Sequence, residues 1–347
     1  MARRRLSRQQ IERIKSIQEQ RRERAGTRAA ALEAGGLGAE RHGRVITNFG
    51  KSLLVEDDDG SLVRCVPRQN LGLVVCGDTV VWQPSAQGDG VVSALNARRS
   101  VLGRPDTSGE IRPTAANLDQ VVVVAAPLPE FSEDMIDRYL VAAEALRLHP
   151  LIVLNKVDLL DDVHRADVER RLATYTAIGY PVLTASTVSA HGIEALRRHM
   201  HGHISLLAGQ SGVGKSSLIN ALLPDLGLRT QTISERSGLG QHTTTNATFY
   251  HLPDDAEGAL IDSPGVRAFD LWDMDEAQIA AGFREFDRFL GHCRFHNCRH
   301  RSEPGCALKA AAEEGRIDPR RLASYLRIVD DLESGRDRLR AKPDGLA

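Results

Sequence analysis

The tetrad Asn155-Lys156-Val157-Asp158 comes before the loop Gly209-Gln210-Ser211-Gly212-Val213-Gly214-Lys215-Ser216, and this order constrains the fold more than any other feature of the chain. The loop has the G-x-x-x-x-G-K-S pattern, whose backbone N–H groups cradle phosphates. The tetrad reads a base, and in ordinary guanine-nucleotide domains it follows the phosphate loop. The inversion therefore predicts an α/β domain of circularly permuted connectivity.

The local context supports both assignments. The loop follows an apolar run at 204–208 and opens a helix carrying Leu218, Ile219, Ala221 and Leu222, the strand–loop–helix setting the pattern requires. Lys215 is expected to reach the outer phosphates, the Ser216 hydroxyl to ligate Mg2+, and Ser217 to follow as part of the same binding segment. The tetrad ends the apolar run 151–154, at the carboxyl end of a strand, where open α/β sheets bind ligands. Asp158 can accept two N–H bonds from guanine that adenine does not offer. Asn155 would polarise the loop and the base edge, and the Lys156 stem would cover the ring. Ala185-Ser186-Thr187, after the next apolar run, would supply a backbone donor to the guanine carbonyl, with Ser186 as its central residue.

Asp262-Ser263-Pro264-Gly265 ends the run 259–261. An Asp there holds Mg2+ through water, and the Gly265 N–H can touch the γ-phosphate. The next residue is Val266, where Ras-type enzymes use a Gln to orient water. Gly240-Gln241-His242-Thr243-Thr244-Thr245 reads as switch I, with Thr244 completing the Mg2+ shell and His242 as the candidate water-positioning residue. A structural or RNA-facing histidine fits that place too.

Three of five cysteines crowd together as Cys293, Cys298 and Cys306, with His300 between them. Four soft or borderline ligands suit one closed tetrahedral Zn2+ of structural type. His292 and His296 are rival ligands. Cys65 and Cys76, set among Val and Leu, read as small buried hydrophobes.

The net charge of −1 conceals a strongly basic start, in which Arg3, Arg4, Arg5, Arg8, Arg13, Lys15, Arg21, Arg22, Arg24 and Arg28 are opposed only by Glu12, Glu19 and Glu23. This is a phosphate-binding arm or a solvated tail. Short alternating strands then fill residues 43–95, a small closed barrel, with an OB-fold as the leading choice and an SH3-like barrel fitting the same pattern. Arg41, Arg44, Lys51, Arg64, Arg68, Arg98 and Arg99 would decorate it, consistent with a nucleic-acid surface, although scattered surface arginines are common without that role. From Leu118 apolar runs alternate with amphipathic stretches, one of them starting at Ser132 as N-cap, which predicts a mainly parallel sheet with helices on both faces. The domains are expected at 1–35 (basic tail or helix), 36–102 (OB-fold barrel), 103–272 (permuted nucleotide domain) and 273–347 (helical zinc-binding domain). No run of about eighteen apolar residues and no secretory signal is present, so the chain reads as cytoplasmic, without a membrane role.

With these residues in hand, the chain resembles the RsgA (YjeQ) family of circularly permuted GTPases. The resemblance rests on the basic start, the barrel, the tetrad, the phosphate loop with Ser217, Gly238-Leu239-Gly240-Gln241-His242-Thr243-Thr244-Thr245, Asp262-Ser263-Pro264-Gly265-Val266-Arg267, and Cys293, Cys298, His300 and Cys306. It implies an enzyme that binds the 30S ribosomal subunit, contacts its 16S rRNA through the barrel and the zinc domain, assists late maturation, and hydrolyses GTP to GDP and phosphate under ribosome stimulation; the chain itself is expected to be a monomer. It also implies zinc held by those four residues. Two other readings remain: a constitutive rRNA-binding scaffold with structural GTP, and a P-loop ATPase or kinase, which Asp158 disfavours.

Overall fold

Strands β1 (Arg41–Asn48), β2 (Leu53–Asp57), β3 (Leu62–Pro67), β4 (Thr79–Pro84) and β5 (Gly90–Leu95) occupy the region read as a barrel. The computed structural model describes residues 33, 35–105, 111–227, 230–231, 247–253, 255–262, 271 and 274–340. β1 pairs antiparallel with β2 and β4, β2 with β3, and β4 with β5, while β3 and β5 run parallel. The order 1-2-3-5-4-1 closes the sheet and is that of an OB-fold, which decides against the SH3-like alternative. Val45, Leu53, Val55, Val74, Val80, Trp82 and Val92 fill the interior with Cys65. Gly90 is required where β5 crosses this core, since a Cβ there would lie 2.6 Å from both the Cys65 sulfur and the Trp82 ring. Cys65 and Cys76 are buried thiols, as expected, and burial pushes both well above the ordinary thiol range.

The chain continues through β6 (Val101–Pro105), β7 (Ile111–Ala116), β8 (Gln120–Ala125), α1 (Glu133–Ala145), β9 (His149–Leu154), α2 (Asp162–Ile178), β10 (Val182–Thr184), α3 (Ile193–Met200), β11 (Ile204–Ala208) and α4 (Lys215–Leu222). It ends with β12 (Thr248–Leu252), β13 (Asp255–Asp262), α5 (Glu276–Ala281), α6 (Ala307–Glu313) and α7 (Pro319–Arg340). Two units can be distinguished, one comprising Met1–Asp119, Met200–Leu206 and Leu222–Gly265, the other Gln120–His199, Leu207–Ala221 and Val266–Ala347.

In the first unit the barrel is hydrogen-bonded into a larger sheet. β11 pairs parallel with β13, β13 antiparallel with β12, and β12 meets β1 at Thr248 and Thr47. Arg44 lies over the Phe249 ring at 4.9 Å, and His251 Nε2 is 2.7 Å from a Glu56 carboxylate oxygen. β12, with its polar Thr and His, had no apolar-run signature, and the β6–β7 hairpin was likewise missed. The barrel arginines are mostly engaged within the protein. Arg98 forks onto the fully buried Asp78, Arg41 pairs with Asp57, Arg68 with Glu33 and Arg99 with Asp119. Arg98 is thereby committed to a buried carboxylate, whereas Arg41, Arg68 and Arg99 keep 39–64% of their side chains exposed and remain at the surface.

In the second unit β8, β9 and β10 form parallel pairs. β8 is buried along its whole length, which explains its unbroken run of valines. Ser132 holds the N-cap position of α1, but its side chain makes no capping bond; only its carbonyl accepts, from Met135 and Ile136 N–H. Helix α7 starts at Pro319, a residue suited to the first turn of a helix. This helix is fixed to α1 by a buried ionic cluster. Arg321 and Asp137 have fully buried side chains 2.5 Å apart. Arg321 also forks onto Glu285, Arg320 reaches the second Asp137 oxygen, and the Tyr175 hydroxyl donates to the first. Such a cluster adds little over apolar packing when complete, yet removing one member strands the others. Asp137→Ala is expected to cost about 3–5 kcal/mol, because the fully buried Arg321 loses one of its two carboxylates and the half-buried Arg320 and the Tyr175 hydroxyl lose theirs. Urea unfolding of Asp137→Ala beside Asp137→Asn, which keeps an acceptor, checks this; equal and small losses would contradict it.

Candidate nucleotide site and zinc centre

The phosphate loop and the base-reading tetrad, separated by more than fifty residues in sequence, meet in the second unit. Asn155 is almost fully buried and its Nδ2 donates to the Val213 carbonyl at 2.9 Å. Lys156, in the left-handed region at φ 61°, extends its ammonium to the Gly212 carbonyl at 2.6 Å and the Leu128 carbonyl at 3.0 Å. The tetrad thus holds the loop from two sides. Two loop glycines are required by this packing. A Cβ on Gly214 would lie 2.4 Å from Asn155 Nδ2, and one on Gly209 would lie 2.2 Å from the Val124 carbonyl oxygen. Both have positive φ, at 94° and 145°.

Lys215 Nζ donates to the Gly209 and Gln210 carbonyls at 2.8 and 2.6 Å, and so folds over the cradle that the loop encloses. Gln210 and Ser211 lie between these anchors, and Ser216 and Ser217 open α4. Asp158 sits in the short turn after Lys156, with Val157 buried beneath it. Its Oδ1 accepts a 2.5 Å hydrogen bond from Ser186 Oγ. That bond gives Ser186 a role different from the one expected. The Ser186 N–H is used by the His191 carbonyl and the Ala185 N–H by the Leu154 carbonyl, so of the three residues only Thr187 remains to give a backbone donor to a base. The loop after β8 was also missed: Leu128 supports Lys156, and Pro129 lies 3.5 Å from where a Gly212 Cβ would stand. Its signal was there in Pro127-Leu128-Pro129, which stops an apolar strand abruptly.

Asp262 closes β13 in the first unit, and burial raises its carboxyl above the ordinary range. A carboxylate so desolvated is suited to facing a cation. Gly265 and the segment after it, with Val266, lie outside the described residues, as do His242, Thr244 and the rest of the expected switch I.

Near the carboxyl end, Cys293, Cys298, His300 and Cys306 bring their ligand atoms within 4.8 Å of one another. His300 Nδ1 is 3.5 Å from the Cys293 sulfur and 3.4 Å from the Cys306 sulfur. Tetrahedral bonds at zinc–sulfur and zinc–nitrogen lengths require an edge of about 3.6 Å, so the donors already stand at the corners of a zinc site. Burial and the adjacent Cys293 and Cys306 sulfurs push the Cys298 thiol up to about 12. Three thiolates at such spacing need a cation to coexist. The rivals His292 and His296 are exposed and not part of the cluster. Four protein ligands leave no open position, which makes the metal structural. No helix among the described residues is long and apolar enough to cross a membrane.

Comparison with known proteins agrees with this geometry. Residues 95–272 match the RsgA GTPase family. The small ribosomal subunit biogenesis GTPase RsgA of Azotobacter vinelandii strain DJ is 49% identical over 340 residues, covering 96% of this chain and 98% of the relative. Its counterpart from Pseudomonas aeruginosa strain LESB58 is 47% identical over 333 residues, covering 95% and 98%. Among solved structures, YjeQ from Thermotoga maritima superposes with a TM-score of 0.71 at 32% identity, covering 85% of this chain and 99% of that one. YloQ, described as a circularly permuted GTPase, gives 0.70 at 27% identity, covering 88% and 98%. A tetrad that grips a phosphate loop lying later in the chain, an OB-fold barrel before it and a zinc centre after it thus occur together in a chain that belongs to the RsgA family of circularly permuted GTPases.

Proposed function

We propose that this GTPase binds the 30S ribosomal subunit through its 16S rRNA, assists late maturation of the particle in the cytoplasm, and leaves as a monomer after hydrolysing GTP to GDP and phosphate. The observation that carries the nucleotide half is the Asn155 bond to Val213, which joins base recognition to the phosphate loop. The ribosomal half rests on relatives named small ribosomal subunit biogenesis GTPases that match nearly the full chain.

In this reading the N–H groups of Gly209 to Ser217 hold the phosphates, and Lys215 exchanges its two carbonyl partners for phosphate oxygens. Ser216 would hold Mg2+, which would supply countercharge at the outer phosphates, and a water-mediated hold on that ion is the role proposed for Asp262. Asp158 accepts the two guanine N–H bonds, kept in place by Ser186, while Thr187 supplies the backbone donor and the Lys156 stem covers the ring. Gly265 senses the γ-phosphate. Val266 has no group with which to orient water, so that task falls to His242, with Thr244 completing the Mg2+ shell and the ribosomal partner assisting. The domain limits 1–35, 36–102, 103–272 and 273–347 are part of the same proposal.

A purified-particle assay tests it. GTP turnover should rise more than about tenfold with 30S subunits, an effect of the size that in-trans assistance gives elsewhere, and 50S or 70S particles should do less. Binding should weaken steeply with salt, because phosphate contacts release counterions. Absence of acceleration by 30S at low salt would remove the switch reading in favour of the rRNA-binding scaffold.

A further inference from the structure

Glu303 takes no part in nucleotide chemistry and is not a metal ligand, yet the loop that carries the one nitrogen ligand is wrapped around it. His300 has φ 61°, a conformation that side chains with a Cβ rarely adopt, so something must hold it there. On its two sides the Arg299 N–H donates to Glu303 Oε1 at 3.0 Å, and the Arg301 and Ser302 N–H groups donate to Oε2 at 2.9 and 3.1 Å. Both carboxylate oxygens are therefore used, and the three bonds straddle His300.

We propose that Glu303 is a positioning residue of the zinc centre: its carboxylate acts as an internal anion in a nest of backbone N–H groups and presets His300 Nδ1 toward the three sulfurs. Successive N–H groups converging on one anion are a recurrent way to fix an otherwise unfavourable turn. The result is visible in the ligand spacing, since Nδ1 stands 3.5 and 3.4 Å from two sulfurs. The return of the chain to Cys306 is equally tight, because Gly305 has φ 72° and a Cβ there would lie 2.9 Å from the Arg294 side chain.

Other contacts of this loop have a different task. The Arg299 side chain pairs with Glu276 and Glu333, and that of Arg301 with Asp330 and Glu333. These pairs attach the loop to α5 and α7 from outside and leave the turn at His300 untouched. Of these side chains, Glu303 is the one bonded to the backbone on both sides of the ligand. Groups that orient a metal ligand affect metal affinity without binding the metal.

The inference rests on the zinc centre and not on the ribosomal reading, and its test uses the full chain loaded with zinc. Zinc affinity is measured by chelator competition for wild type, Glu303→Ala, Glu303→Gln and Glu333→Gln, with urea unfolding and binding of a non-hydrolysable GTP analogue in parallel. Glu303→Ala should weaken zinc by about 10- to 100-fold, the usual range for such orienting groups. Glu303→Gln, of equal volume, should show most of that loss, since its amide nitrogen would turn a donor toward N–H donors. Glu333→Gln should change zinc affinity little, nucleotide affinity should stay as in wild type throughout, and the unfolding midpoint should fall by no more than the lost zinc affinity accounts for. Unchanged zinc affinity in both Glu303 variants would overturn the proposal. So would an equal loss in Glu333→Gln, which would assign the effect to loop attachment, or a fall in zinc, midpoint and nucleotide affinity together, which would make Glu303 merely structural. A wild-type chain without zinc would overturn the centre itself, and with it the role of Glu303.

Discussion

Asp158→Asn is expected to weaken GTP by about 10²- to 10⁴-fold, because two hydrogen bonds to a charged acceptor, each of about 1.5–3 kcal/mol, are lost. Xanthosine triphosphate should gain in the same variant. Xanthine presents an acceptor where guanine presents its amino group, and the Asn amide offers a donor where the carboxylate had none. The environment makes the exchange clean. Ser186 Oγ holds the Asp158 carboxylate at 2.5 Å and can donate equally to an Asn carbonyl, so the side chain keeps its orientation while its donor pattern is reversed. Asn155 and Lys156, which brace the phosphate loop, are untouched. Titration of the purified variant with both nucleotides is the measurement. Unchanged GTP affinity would remove Asp158 from the site, and loss of both nucleotides would mean that the substitution had disturbed the loop.

Cys298→Ser should lower zinc below one per chain. A structural zinc site contributes an apparent free energy of about 10–16 kcal/mol at neutral pH, so the effect is large but local. The segment bearing the ligands has little apolar core of its own, since residues 291–299 are exposed or half-buried. By contrast α7 is held independently of the metal. Phe283 and Phe286 stack at 4.8 Å, Tyr325 meets both edge-on, and Arg321 is buried against Asp137. Amide exchange should therefore rise by orders of magnitude over 293–306, remain slow in α7 around Arg321, and leave GTP-analogue affinity as in wild type. Stoichiometric zinc in this variant would remove Cys298 from the ligand set. Melting of α7 along with the ligand segment would show the metal to be the keystone of a much larger region.

Much of this architecture is legible in local pattern. The valine run of β8 and the apolar runs of β9 and β11 are buried between neighbours, so their composition announces them. β12 was silent because its Thr and His face partners that lie far away in sequence, Thr47 and Glu56. Ser186 stands beside Asp158, but whether its N–H or its hydroxyl points there depends on the His191 carbonyl, and no spacing rule contains that information. Arg98 makes the same point: a guanidinium looks the same in sequence whether it faces solvent or, as here, a buried Asp78.

The sequence by itself determined the chemistry, because phosphate cradling, guanine reading and zinc ligation each need particular side chains within a short stretch, and short stretches keep their spacing in any fold. The reversed motif order even carried the permutation. Only the tertiary structure decided what depends on partners distant along the chain: the closure of the barrel as an OB-fold through its parallel β3–β5 pair, the grip of Asn155 on Val213, and the choice of His300 over His292 and His296. It also decided which charges stayed at the surface. The physical reason is that hydrogen bonds and ion pairs are satisfied in space, and a group's partner, unlike its identity, is not written next to it.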